Sequence, residues 1–228
     1  MNSDTKSAFP EFVRVLSTED QCLLERLLDE SVDVIIFGSR AAGVHSKPSD
    51  LDILCVGTRE RYKSHRLDVV SRESVEVEDR KWLGSELASH IAVYGIVIRG
   101  SAAWKEAVRL NEATVSQKER RVVALVDGLW TYWDRIYPEF RRKYLTTIRR
   151  EVQRLELLRK GIAMPPTPSL DRTWKNEQGA ADSWIRSFWG IKTDSAIRDR
   201  LLRTTDLIVP QQPFLREHIS QASSHLKR

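Results

Sequence analysis

Four residues in one short stretch have types and a spacing suited to phosphoryl chemistry. In Gly38-Ser39-Arg40-Ala41-Ala42-Gly43 and the loop that follows, a Gly-Ser pair is succeeded after ten residues by Asp50-Leu51-Asp52. A glycine lets the backbone approach a ligand closely, and a serine with its following amides at a helix start is a seat for phosphate. Asp50 and Asp52 are two apart, so on a strand both carboxylates face the same way, where hard oxygen ligands suit Mg²⁺ carrying a triphosphate. Without a cation, two such acids would repel each other. His45 and Lys47 lie in the intervening loop, with Lys47 a candidate phosphate contact.

A third carboxylate on a neighbouring strand would complete a two-cation site, in which paired metals about 3.5 to 4 Å apart clamp attacking and leaving oxygens. Asp68 is the natural candidate, because it stands between Leu67 and Val69 in a strand pattern where acids are depleted unless something requires them. Glu76 and Glu78, on a more polar stretch, are the alternatives.

The elements that must position these groups are legible as patterns. Ser17–Glu30 opens with a cap-like residue and carries Leu23, Leu24, Leu27 and Leu28 at helical spacing. Val32–Phe37 and Leu51–Val56 read as buried strands on either side of the motif, and Arg66–Ser71 and Ile96–Arg99 as two more. Asp79–Val93 is helical in pattern. Helix and strand alternating within a short span describe a small α/β unit with a mixed sheet flanked by helices.

Beyond Ser101 the strand signals stop. Glu112–Ile136 and Phe140–Leu158 carry apolar residues at helical steps, Pro165, Pro166 and Pro168 mark a loop, and shorter helical patterns follow near 180–189, 194–207 and 214–226. This half reads as an all-helical bundle, giving domains of 1–107 and 108–228. Residues 1–100 hold 13 Lys and Arg against 17 Asp and Glu, and residues 101–228 hold 24 against 15, so an anionic partner should prefer the second half. The stretch from Arg135 to Lys160 is its most basic part, with nine cations against three acids. Trp130 and Trp133, three apart, read as core rather than a base-stacking shelf. Asp127, Asp134 and Glu139 are carboxylates from which a helical-domain base could come.

Apolar residues at 41% and charged residues at 30% belong to a globular protein, and no apolar run reaches the roughly 18 residues of a spanning helix. With two cysteines and no leader pattern, the cytoplasm is the expected compartment. The glycines do not make a dinucleotide fingerprint, and no Gly-Lys-Ser/Thr phosphate loop exists.

Gly38-Ser39 followed by Asp50-Leu51-Asp52, with strands on both sides, resembles the DNA polymerase β type nucleotidyltransferase superfamily, in particular its minimal bacterial members. The resemblance covers roughly residues 17 to 100. It implies Gly38 and Ser39 at the triphosphate of an NTP, Arg40 as a further phosphate contact, Asp50 and Asp52 on Mg²⁺, and Asp68 as third ligand and possible base. Minimal members often read Gly-Ser-Arg-Ala-Arg-Gly, and here Ala42 stands at the second arginine. The activity implied is transfer of an NMP, most readily AMP from ATP, to a hydroxyl on a protein or RNA with release of pyrophosphate. Relatives include antitoxins that adenylylate a partner toxin, enzymes that extend tRNA ends and enzymes that inactivate aminoglycosides. The basic second half disfavours a polycationic acceptor. The alternative from another class is a non-catalytic module that grips nucleic acid or protein, against which the retention of Asp50, Asp52 and Asp68 speaks.

Overall fold

The computed structural model describes residues 12–176, apart from 15, 47, 48, 133, 134 and 136. The chain falls into two compact units, one up to Asn111 together with Ala163–Ser169, the other comprising Glu112–Ile162 and the chain from Leu170 onward.

The first unit opens with α1 (Thr18–Glu30), which starts where it does because the Ser17 hydroxyl accepts the Asp20 N–H at 3.1 Å and Glu19 and Asp20 suit the positive end of the helix. Then come β1 (Asp33–Phe37), the short helical turn α2 (Gly38–Ala41), β2 (Leu51–Val56), β3 (Tyr62–Lys63) and β4 (Leu67–Arg72). Three short helices follow, α3 (Ser74–Val77), α4 (Arg80–Leu83) and α5 (Glu86–Tyr94), before β5 (Ile96–Arg99) and a 3₁₀ turn at Ala103–Ala107. The sheet order is β3-β4-β2-β1-β5, with β2 and β4 parallel and the other neighbours antiparallel. This is the mixed sheet that the sequence implies.

Both faces of the sheet are covered, which is why its central strands are continuous apolar runs rather than alternating ones. Val34, Ile36, Ile53 and Val69 face Leu23, Leu24 and Leu27 of α1. On the opposite face Ile35, Phe37, Leu54 and Val56 pack with Trp82, Ala88, Ile91 and Trp104.

Two details differ from the sequence reading. The sheet has a fifth strand, β3, whose two residues are too few to display a period-two pattern. The continuous helix expected over Asp79–Val93 is instead broken by local caps. The Asp79 carboxylate accepts the Lys81 N–H at 2.7 Å to begin α4, and the Ser85 hydroxyl accepts the Ala88 N–H at 3.1 Å to begin α5. The apolar spacing persists across the breaks because Trp82, Ala88 and Ile91 all serve one core.

In the second unit α6 (Glu112–Thr131) and α7 (Pro138–Arg159) are long helices, α7 beginning with proline at its first position, where a missing N–H costs nothing. Pro168 lies in the first turn of α8 (Thr167–Asn176), not in the loop expected there. The helical patterns near 180–189, 194–207 and 214–226 lie outside the described residues. Among the described residues, no helix is long and apolar enough to cross a membrane.

Several charges inside this unit are paired. The buried Lys118 ammonium donates to Glu151 at 2.6 Å, and Arg154 reaches the same carboxylate at 2.6 Å. Burial raises the Glu151 carboxyl, but the Lys118 hydrogen bond and charge, with Arg154 and Arg121, hold it below the usual range. Arg149 and Arg150 both pair with Asp171, Arg159 with Glu119 and Lys160 with Glu156. Five of the nine cations between Arg135 and Lys160 are thus in ion pairs within the unit.

Removing one partner of a buried pair leaves an uncompensated charge, whereas removing both does not. Glu151→Leu removes the carboxylate that Lys118, Arg154 and Arg121 share and is expected to lower stability by about 3 kcal/mol, and Lys118→Met/Glu151→Leu to recover much of that loss. Urea unfolding followed by circular dichroism reads the difference.

Candidate active site

Strand pairing brings the predicted acids together. Phe37 at the end of β1 is the register partner of Asp52 at the start of β2, so the chain enters Gly38 beside that carboxylate. In the parallel β2–β4 ladder Asp52 is the register partner of Asp68. Along β4, Leu67, Val69 and Ser71 are buried while Asp68, Val70 and Arg72 take the alternate face. One carboxylate oxygen from each of Asp50, Asp52 and Asp68 lies within 4.8 Å of the other two. The alternatives to Asp68 are elsewhere: Glu76 closes a capping box by accepting the Glu73 N–H at 2.7 Å, and Glu78 is exposed at the end of α3.

Three acids so close raise one another's proton affinity. The Asp52 carboxyl is pushed up to about 7, first by burial and then by the negative charges of Asp50 and Asp68, against the opposing Lys63 and Arg40. Lys63, the register partner of Asp68 across β3–β4, forms an ion pair with it. A convergent set of hard oxygen donors whose mutual repulsion is only partly relieved by the protein's own cations fits a divalent metal ion.

Gly38 is fixed by sterics as well as by backbone conformation. Its φ is +74°, and a Cβ there would lie 2.0 Å from Asp52 Oδ2. Its N–H donates to Nε2 of the buried His90 at 3.2 Å, and the other ring nitrogen of His90 donates to the Met164 carbonyl at 2.6 Å. An imidazole that accepts at Nε2 and donates at Nδ1 is neutral. Phe37 and Tyr94 flank the ring at 6.3 and 5.2 Å between centroids. The Gly38 amide is thus engaged within the protein, leaving the amides from Ser39 onward as donors of a helical turn that no side chain caps.

Arg40 is buried, and its guanidinium donates to the Ser49 carbonyl at 2.6 and 3.1 Å and to the Asp50 carbonyl at 3.1 Å. It ties the end of the loop that delivers Asp50. Ser39 is half-buried on α2 and His45 is exposed. Lys47 and Asp134, and the side chains of Asp127 and Glu139, lie outside the described residues. His90 is the site residue that sequence reasoning missed. Its signal was a histidine within the apolar segment Leu87–Val93, and the 52 residues between it and Gly38 hid the partnership.

Three outcomes follow from this geometry. A metal ligand must be ionised, so with Asp52 titrating near 7, Mn²⁺ or Mg²⁺ affinity should rise with pH through neutrality and binding should release a proton. Calorimetry in buffers of different ionisation enthalpy detects it. The sign for stability is the reverse: an acid whose folded value lies above its unfolded 3.8 costs the metal-free fold stability as pH climbs from about 4 to 7. Asp52→Asn should therefore raise the metal-free Tm at pH 8 by a few degrees. His90→Phe keeps the ring but removes both hydrogen bonds, and is expected to cost about 1–3 kcal/mol of stability and to weaken nucleotide binding. Thermal unfolding and nucleotide titration of the same variant measure the two effects.

Comparison with known proteins gives the site its context. Residues 21–123 match the family model of the nucleotidyltransferase domain. The match begins within α1, takes in the whole sheet with Gly38, Ser39 and the three aspartates, and ends within α6. No curated protein matches the chain. Sheet, Gly-Ser turn, acid triad and family match agree: residues 21–123 are similar to the nucleotidyltransferase domain of the polymerase β type.

Proposed function

We propose that the protein is a Mg²⁺-dependent nucleotidyltransferase that moves AMP from ATP to a hydroxyl on RNA or protein and releases pyrophosphate. The observation that carries the reading is the convergence of Asp50, Asp52 and Asp68 within 4.8 Å of one another beside a glycine that has no room for a side chain.

In this reading Asp50, Asp52 and Asp68 hold the metal, with two ions engaged during turnover. Bound Mg²⁺ supplies charge neutralisation on the triphosphate and polarisation of the α-phosphorus. Ser39 and the amides of α2 receive the triphosphate, with Lys47 as a further phosphate contact, while Gly38 keeps the backbone close to Asp52. Arg40 acts on phosphate indirectly, by holding the carbonyls of Ser49 and Asp50 so that the Asp50 carboxylate is presented at a fixed angle. Asp68 takes the proton of the acceptor hydroxyl as its oxygen bonds to the α-phosphorus and the bond to the β-phosphate bridging oxygen breaks. Catalysis of this kind is positional and electrostatic, which suits a site with Asp52 and Asp68 on paired strands and Asp50 on a loop end that Arg40 holds. The helical domain, taken as residues 108–228, gives the acceptor its specificity.

The test is calorimetric titration of ATP and GTP with and without Mg²⁺, on wild type and on Asp50→Asn/Asp52→Asn. Binding of ATP that requires Mg²⁺ and falls at least 100-fold in the double variant is the expected result. Equal binding by the variant, or none by wild type, overturns the reading in favour of a non-catalytic module.

A further inference from the structure

Among the described residues, Asp68 alone of the three acids is in an ion pair, and its partner is Lys63. The backbone that carries this lysine is fixed by the fold. β3 pairs Tyr62 with Val69 and Lys63 with Asp68. The turn after it is closed by the Ser64 N–H, which donates to the Leu67 carbonyl at 2.8 Å, and by the Ser64 hydroxyl, which accepts the Arg66 and Leu67 N–H groups at 3.1 and 3.0 Å. That hydroxyl donates in turn to the Asp20 carboxylate at 3.1 Å, and the Tyr62 hydroxyl donates to the same carboxylate. A buried acid in the first turn of α1 thus pins the residues on both sides of Lys63.

The far end of the lysine is free to move. Its side chain is 68% exposed, against 27% for Asp68. A hollow of about 520 Å³ borders both residues, with Arg61, Val70, Arg72 and Leu87 also in its wall, so the ammonium has room to leave the carboxylate without moving the strand. Ion pairs this exposed hold weakly. The charge reaches further than the contact, because it bears on Asp50 and Asp52 as well. Asp68 has two tasks in the proposed reaction, to hold metal and to take a proton, and a carboxylate shared with an ammonium is poorly placed for either.

We infer that Lys63 is a resident counter-ion that competes with divalent metal for Asp68 and yields the carboxylate when nucleotide accompanies the metal. The inference rests on the nucleotidyltransferase reading and adds to it an order of events at the site. Metal alone must displace the ammonium and then face its charge. A triphosphate changes both sides of that competition, since its oxygens add ligands for the metal and offer the displaced ammonium a new anionic partner. The site is thereby biased against loading metal without nucleotide, and Asp68 is released as ligand and base only once both are present.

The test is calorimetric titration of the full chain with Mn²⁺ at pH 8, alone and with an ATP analogue that carries a methylene between the α- and β-phosphorus. Lys63→Met is expected to bind Mn²⁺ alone about tenfold more tightly than wild type, as the loss of a unit charge a few ångström from a divalent ion near water should do. Lys63→Arg, which keeps the charge, should stay within about twofold of wild type. With the analogue bound, the gain from Lys63→Met should shrink to about twofold, because the ammonium has already left. In an Asp68→Asn background most of the gain should vanish. Mn²⁺ binding unchanged or weakened by Lys63→Met, a gain that persists in full beside Asp68→Asn, or a gain equal with the analogue bound and without it each overturn the proposal. The two readings fail separately. If Lys63→Met tightens Mn²⁺ binding through Asp68 while neither protein binds the analogue, the nucleotidyltransferase reading fails and the competition at Asp68 stands; if the analogue binds with Mn²⁺ and Lys63→Met changes nothing, the Lys63 assignment alone fails.

Discussion

The repulsion among Asp50, Asp52 and Asp68 is the constraint around which the first unit is built. Three carboxylates with atoms within 4.8 Å of one another repel, and the protein must hold them together. Here the parallel ladder between β2 and β4 fixes Asp52 opposite Asp68, and the residues around them on both strands are buried. The sheet is covered on both faces, so the free energy of the two apolar cores opposes the local electrostatic cost. An active centre that is unfavourable by itself is tolerated because the scaffold is stable without it, a common trade between stability and activity.

A second layer of constraint surrounds the acids. Gly38 can approach Asp52 only because it lacks a Cβ, and it is held there by His90, whose other nitrogen is tied to Met164. Arg40 fixes the carbonyls just before the Asp50 side chain. Lys63 offsets the charge of Asp68 from the sheet edge. Each partner acts from a different element, so the geometry is over-determined, as groups that must be held to within fractions of an ångström require.

The parts of the site visible in sequence are those carried by short-range chemistry. Gly38-Ser39 and Asp50-Leu51-Asp52 reveal themselves because a turn and a strand each impose a local spacing, and Asp68 because an acid in an apolar strand needs a reason. β1 and β2 were legible from the apolar runs that burial on both faces produces, and β4 and β5 from shorter β-branched runs. What sequence concealed depends on long-range pairing. β3 is two residues long and exists through its ladder with β4, and the caps at Asp79 and Ser85 interrupt a spacing that the core keeps continuous. His90 carries no local motif, and the pairing of Arg149 and Arg150 with Asp171 and of Arg159 with Glu119 joins residues distant in sequence.

The crossing of Ala163–Ser169 back to the first unit has a consequence for synthesis and for dissection of the chain. The first unit is discontinuous: the carbonyl that accepts from His90 comes from Met164, translated after both α6 and α7. The sheet has all its strands once residue 99 is made, but the brace behind Gly38 must wait for some sixty-five further residues, counted from 99 to 164. A fragment ending at Asn111 would retain Asp50, Asp52 and Asp68 yet lack the Met164 contact to His90, which accepts the Gly38 N–H.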